Sequence, residues 1–263
     1  MFLMFLVKLG GSVITNKKKK DSFRRSTMNR LAYEIKKSGE ELIIVHGAGS
    51  FGHISAKRYR LNEGYMNQEQ IKGFVLTHAK VQKLNSLILD SLHSHGLPAV
   101  SLPPHAMMQL DNHKLVAFDY TLFLYYLKNG FLPVTFGDVV LDKTLVFSIC
   151  SGDLLMQAFA ASFKPEKVVF VIDEDGLYTS NPKTDSNALF IESLTINELK
   201  RLTTTSNSYA DVTEGMKGKI NTIQSIARLG IDTLLVNGNK PDRLYRVLSG
   251  RDTICTYVKG KRV

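Results

Sequence analysis

The sequence predicts an α/β fold, a three-layer αβα sandwich around an open, mainly parallel central sheet. Two observations lead there. Apolar runs of four to seven residues alternate along the chain with segments of helical period, the order expected of a parallel sheet whose crossovers cover both faces. Five loops rich in glycine, serine and aspartate each follow such a run, and ligands of open α/β sheets collect at the carboxyl ends of strands. A chain of 263 residues with 44% hydrophobic content can bury a substantial core. No repeat or low-complexity linker divides it, so one domain is expected over residues 1–263.

In order, FLMFLV (2–7) reads as the first strand; the apolar opening meets Lys8 too soon for a signal sequence or a membrane span. STMNRLAYEIKKSG (26–39) reads as a helix with Ser26 as cap, Leu31 and Ile35 one turn apart, and Gly39 as stop. ELIIV (41–45) and PAVSL (98–102) are strands. DYTLFLYYLKNG (119–130) is a helix ended by Gly130, with Phe123, Tyr125 and Tyr126 most simply core, and FLPVTF (131–136) is the next strand. LVFSIC (145–150), KVVFVI (167–172) and DTLLV (232–236) complete the strands. GMKGKINTIQSIARLG (215–230) is a helix with Ile220, Ile223, Ile226 and Ala227 on one face.

The formal charge of +10 favours anionic partners. The run Lys17–Lys20 with Arg24 and Arg25 has no interleaved aromatics, zinc-finger spacing or basic heptads, so nucleic acid is not expected. Two cysteines, Cys150 and Cys255, make no disulfide framework and fit a reducing cytoplasm. No membrane association and no metal-ligand spacing are expected.

The stretch IIVHGAGSFGH (43–53) contains Gly47, Gly49 and Gly52 at G-x-G-x-x-G spacing. A dinucleotide turn would need a second strand ending in an acid about 20 residues on. Residues 54–73 hold no apolar run that could form it. The P-loop and protein-kinase signatures are missing too. What remains is the physics of the turn, in which glycines let backbone N–H groups approach an anion at a helix start.

Taken together, the loops resemble those of the amino acid kinase superfamily, in order and over essentially the whole chain. VKLGGSVIT (7–15) is similar to its first strand and phosphate loop, VIDEDGLYTSNPK (171–183) to its nucleotide loop, and DVTEGMKGKI (211–220) to its T-G-G-M segment. HGAGSFGH (46–53), F-G-D-V (136–139) and S-G-D (151–153) are similar to the isopentenyl phosphate kinases within it. Two positions depart from the pattern: Glu214 stands for the first glycine of G-G-M, and Glu174 for a small apolar residue.

The resemblance implies ATP-dependent phosphorylation of isopentenyl phosphate, with Mg²⁺ carried on the ATP, a small phosphorylated acceptor as partner, and a homodimer. It also implies an acceptor-binding lobe over about 1–150 and a nucleotide-binding lobe over about 151–263. Lys8, Lys17, Asp153 and Lys219 would be catalytic: the lysines neutralise phosphate charge and Asp153 orients them, unless it merely caps the following helix. His53, Gly152 and the N–H groups of Ala48 and Gly49 would bind the acceptor. Gly10, Gly11, Ser12, Gly49, Asp173, Asp175, Gly176, Tyr178 and Gly215, with Lys8 and Lys219, would hold the nucleotide. Phe74, Val75, Val81 and Leu84, within 73–95, are candidates to line the acceptor pocket.

His46 is expected to be a hydrogen-bonded structural residue, and Asp138 to orient the acceptor loop or cap a turn. The remaining histidines, His78, His93, His95, His105 and His113, have no ligand spacing. Two alternatives stay open: a kinase for another small phosphate, phosphonate or carboxylate, and a non-catalytic nucleotide-binding regulator of the same fold.

Overall fold

The computed structural model describes residues 4–16, 19–204 and 214–261. Lys17 and 211–213 of the T-G-G-M-like segment lie outside them, as do residues 2–3 of the first expected strand.

From the amino terminus the chain forms β1 (Phe5–Leu9), a single turn α1 (Gly11–Ile14), α2 (Arg25–Ser38), β2 (Leu42–His46), α3 (Gly49–Arg58) and the long α4 (Gln68–His93). Then come β3 (Ala99–Ser101), β4 (Met108–Asp111), β5 (Lys114–Phe118), α5 (Thr121–Lys128), β6 (Leu132–Phe136), β7 (Asp138–Asp142) and β8 (Val146–Cys150). The second half has α6 (Gly152–Phe163), β9 (Lys167–Ile172), β10 (Leu177–Tyr178), β11 (Phe190–Ile191), β12 (Ser193–Leu194) and α7 (Ile196–Thr204). It closes with α8 (Glu214–Arg228), β13 (Asp232–Asn237), α9 (Arg243–Leu248) and β14 (Cys255–Val258).

Eight strands form the main sheet in the order β12-β14-β13-β9-β1-β2-β6-β3. All neighbours are parallel except β13 and β14. Alternate strand residues feed two apolar layers. Leu6, Ile43, Val45, Val168 and Phe170 pack toward α6 and α8 on one face. Val7, Leu9, Ile44, Val169 and Val171 pack toward α2, α4 and α9 on the other. The expected αβα sandwich is therefore present. Among the described residues, no helix is long and apolar enough to cross a membrane.

Some local expectations change. Helix α2 begins at Arg25 without a side-chain cap, so Ser26 lies in its first turn. The bridge between Thr15 and Phe23, with Arg24 N–H bonded to Ile14 O, brings the chain into the helix early. Gly39 ends it as expected, at φ +70°. Phe123 is buried, whereas Tyr125 is 68% exposed on the opposite side of α5.

The apolar run 145–150 belongs to no parallel crossover. It is β8, antiparallel to β7 in a second sheet ordered β5-β4-β7-β8. This hairpin matters for the site, because pairing of Asp138 with Cys150 returns Ser151 and Gly152 to the end of β6.

Candidate active site

Central strand β1 lies between β2 and β9, where the chain turns from winding one way to winding the other. Such a switch point opens a crevice at the strand ends. Leu9 is level with His46 on β2 and Val171 on β9. The loops beginning at Gly10, Gly47 and Asp173 therefore emerge side by side, and a cavity of about 430 Å³ opens over them.

The two glycine loops touch. A Cβ on Gly11 would sit 2.7 Å from Gly49 Cα, and Gly49 adopts φ +50°. A side chain at Gly11 would collide with the Gly49 backbone, and one at Gly49 would meet the Thr15 side chain and strain a left-handed φ. This contact presents the start of α3, with Ala48, Gly49 and Gly52, to the cavity. The start of α6 reaches it through Gly152 and Asp153. Ser151 caps α6 by accepting the Leu154 N–H at 3.1 Å, so Asp153 is not the cap. Its carboxylate is turned to the lysines instead.

Lys8 Nζ lies 2.6 Å from Asp153 Oδ1, and Lys219 Nζ approaches the same oxygen at 3.8 Å. Both ammonium groups stand over the ring of Phe170, at 5.8 and 5.6 Å from its centroid. Burial works against the charge on Asp153, but Lys8 and Lys219 together hold its carboxyl below the usual range. Burial, with repulsion from Lys219, lowers Lys8 to about 7 against the pull of Asp153. Phe170 carries no sequence signal, because a buried strand aromatic looks like any core residue.

His53 lines the same cavity, on α3. At the other end, Ser12 Oγ donates to Asp173 Oδ1 at 2.7 Å. Lys183 Nζ reaches Asp173 Oδ2 at 3.2 Å and Glu174 Oε1 at 2.7 Å, so the acid at 174 is paired outward. Asp175, Gly176 and Tyr178 are beside the cavity and not in its wall. Asp175 accepts from Arg243 Nη1 at 2.6 Å and Asn237 Nδ2 at 2.8 Å. Gly176 lies against Thr256, and Tyr178 packs edge-on against Phe190 at 5.6 Å. Gly215 is in the first turn of α8, the helix that carries Lys219.

The apolar part of the cavity is lined by Ile54, Val81, Val139 and Ile149. Of the four candidates from 73–95, only Val81 is there. Val75 is 60% exposed, Leu84 belongs to the core under the main sheet, and Phe74 packs on Phe147 at 5.4 Å. The helical period places residues on a face of α4 but cannot say which face the cavity takes.

His46 is fully buried, stacked on Phe136 at 5.1 Å, with Nε2 3.2 Å from Asn85 Oδ1. Burial lowers it to about 4, so it is a neutral structural residue, as expected from sequence.

A crevice with two lysines on one aspartate, and two helix starts aimed into it, suits phosphoryl transfer between anions. Those residues fall within 4–237, the stretch matched by the amino acid kinase family, and the chain belongs to that family. Isopentenyl phosphate kinase of Methanothermobacter thermautotrophicus is 39% identical to it, over 98% of this chain and 100% of that protein. The isopentenyl phosphate kinase of Thermoplasma acidophilum is 31% identical over 92% and 94% of the two chains. X-ray structures of isopentenyl phosphate kinase match with a TM-score of 0.86 at 36% identity, covering 97% of this chain and 100% of the solved one.

Proposed function

We propose that this chain transfers the γ-phosphoryl group of ATP to isopentenyl phosphate, forming isopentenyl diphosphate and ADP. The observation that carries it is the convergence of Lys8 and Lys219 on Asp153 at the cavity floor. Full-length relatives that are isopentenyl phosphate kinases support the choice of acceptor.

An acceptor phosphate oxygen attacks the γ-phosphorus as the bond to the β–γ bridging oxygen breaks. The nucleophile is already an anion, so no side chain need remove a proton. Catalysis then rests on positioning and on positive charge. Lys8 and Lys219 face the phosphoryl group in flight, Asp153 fixes their direction, and Lys17 is proposed to join them. His53, Gly152 and the N–H groups of Ala48 and Gly49 hold the acceptor phosphate, and Ile54, Val81, Val139 and Ile149 receive its hydrocarbon tail.

Gly10, Gly11, Ser12, Gly49 and Asp173 are proposed to border the ATP phosphates, with Gly215 beyond them. Asp175, Gly176 and Tyr178 would act on the ribose or base end. The proposed acceptor lobe spans about residues 1–150 and the nucleotide lobe about 151–263, with Gly10, Gly11, Ser12 and Gly49 reaching the ATP phosphates from the first and Gly152 reaching the acceptor from the second. Mg²⁺ would enter on the triphosphate and spread its negative charge. The carboxylates at that end of the cavity are already engaged, Asp153 with the lysines and Asp173 with Ser12 and Lys183.

A homodimer is also proposed; exposed Val116, Tyr120, Leu122 and Tyr125 around β5 and α5 offer an apolar contact face. Two free cysteines, one buried and one partly buried, suit a cytoplasmic setting.

The test is ³¹P NMR of ATP mixed with isopentenyl phosphate, other monophosphates and a carboxylate. Diphosphate signals and ADP from isopentenyl phosphate are expected. ADP release that ignores the acceptor, or a preference for the carboxylate, would overturn the assignment.

A further inference from the structure

Away from the lysines, three side chains that can ligate metals meet beside the cavity, one of them, Asp138, in its wall. His78 comes from the middle of α4, His105 from the 3₁₀ turn Pro104–Ala106, and Asp138 from the first position of β7. His78 Nδ1 lies 2.8 Å from Asp138 Oδ2, and His105 Nδ1 lies 3.5 Å from that same oxygen. The imidazole centroids are 4.1 Å apart. One nitrogen of each ring and one carboxylate oxygen all fall within 4.8 Å of one another.

A hydrogen-bonded His–Asp pair accounts for only part of this. His78 donates to Asp138, and the other carboxylate oxygen accepts the Val139 N–H at 2.8 Å. His105 is left over: its Nδ1 is closed to solvent, and its polar contact is a long one, 3.5 Å, to an oxygen that His78 already uses. A buried polar nitrogen held only by so long a contact calls for an explanation. A second imidazole beside the same buried carboxylate is what a metal ion asks for and what a single proton does not.

We propose that His78, His105 and Asp138 form a binding site for a divalent transition metal of the zinc, cobalt or nickel class. Two imidazole nitrogens and one carboxylate oxygen match the donor preferences of those ions, with further positions open to water. Mg²⁺, which prefers oxygen ligands, would not compete effectively, so this ion is distinct from the one accompanying ATP. The ligands come from the long helix α4, the turn before β4, and the small sheet. An ion here therefore ties α4 to that sheet along the wall that Asp138 shares with the cavity, and stabilises the folded state by binding it preferentially.

The experiment uses tag-free full-length protein, cleared of metal with chelator and titrated with Co²⁺ in the absence of nucleotide. Equilibrium dialysis should give one Co²⁺ per chain at low micromolar concentration. Visible ligand-field bands should appear, be displaced by Zn²⁺, and persist in millimolar Mg²⁺. His78→Gln and His105→Gln should each weaken binding about tenfold or more, since loss of even an outer-shell partner costs about 10–100-fold in metal sites. His113→Gln, outside the cluster, should leave binding unchanged. Absence of bound Co²⁺ in the wild-type protein would overturn the proposal, and that result depends on no variant folding. So would a full binding event that survives in the His78→Gln/His105→Gln double variant.

Discussion

Lys8 and Asp153 form a 2.6 Å ion pair at the cavity floor, and Lys219 shares the same carboxylate oxygen at 3.8 Å. The three charges come from β1, α6 and α8, so the pair locks the two sequence halves together where the phosphates are expected. Removing either lysine subtracts positive charge from the site proposed to stabilise the transition state. Lys8→Ala and Lys219→Ala should each lower kcat by about 10²–10³, or roughly 2.7–4 kcal/mol of barrier. Single-turnover kinetics on variants shown by circular dichroism to be folded would check this. Near-normal turnover in either would remove that lysine from the mechanism.

The same burial gives a pH signature. Lys8 in the free protein is lowered to about 7, chiefly by desolvation and then by Lys219. Below that pH it is already cationic when ATP arrives. Above it, ATP must bind with uptake of a proton, because polyanion and ammonium favour each other. ATP affinity should therefore fall by up to about tenfold per pH unit between roughly 7.5 and 9. Calorimetry across that range measures it, and a flat profile would show that Lys8 keeps its proton throughout.

His53 stands on α3 within the cavity that holds the lysines. As a donor to the acceptor phosphate it is expected to contribute about 1.5–3 kcal/mol. His53→Ala should raise the acceptor KM about tenfold or more while leaving the KM for ATP nearly unchanged. His53→Gln, which restores an N–H without charge, should recover part of the loss. Steady-state kinetics varying each substrate separately distinguishes the cases; a defect confined to ATP would place His53 at the wrong end of the cavity.

Asp142 offers a test of stability remote from the chemistry. Its buried carboxylate accepts the N–H groups of Asn112, His113, Thr144 and Leu145 and the hydroxyl of Ser148. Asn112 and His113 have positive φ, so Asp142 pins the strained β4–β5 turn to the end of β7. Burial opposes its charge, yet these donors hold the carboxyl well below the usual range. Its stabilisation is thus present above the unfolded value of about 4 and lost as pH falls through the folded value. Asp142→Ala should lower the unfolding free energy by about 3 kcal/mol near neutral pH, and the gap from wild type should narrow in acid. Urea unfolding at several pH values would show it; a gap independent of pH would mean that packing, not charge, is lost.

Much of the main sheet is legible in the sequence. Strands β1, β2, β6, β9 and β13 are buried apolar runs, and the helices between them carry their apolar residues at helical spacing, as Leu31 and Ile35 do. The loops at 10–12 and 46–53 were legible because close backbone contact requires glycine, as at Gly11, where a Cβ would fall 2.7 Å from Gly49 Cα. The small sheet was less so. Strands β4, β5 and β7 are short and mixed in polarity, β5 lying mostly exposed and β7 carrying buried aspartates at both ends, and only β8 reads as a continuous apolar run.

What sequence by itself determined, then, is whatever local covalent order dictates: the period of an apolar face, the stop at Gly39, and the tight turns that only glycine allows. Tertiary structure decided what depends on register and crossover. It placed Phe170 beneath both lysines, returned Asp153 to the end of β6 through the β7–β8 hairpin, set Tyr178 beside the cavity and not in it, and gathered His78 and His105 around Asp138. None of these residues is near its partners along the chain. Their distances follow from which strands pair and which helix faces are buried, and spacing in one dimension does not encode that.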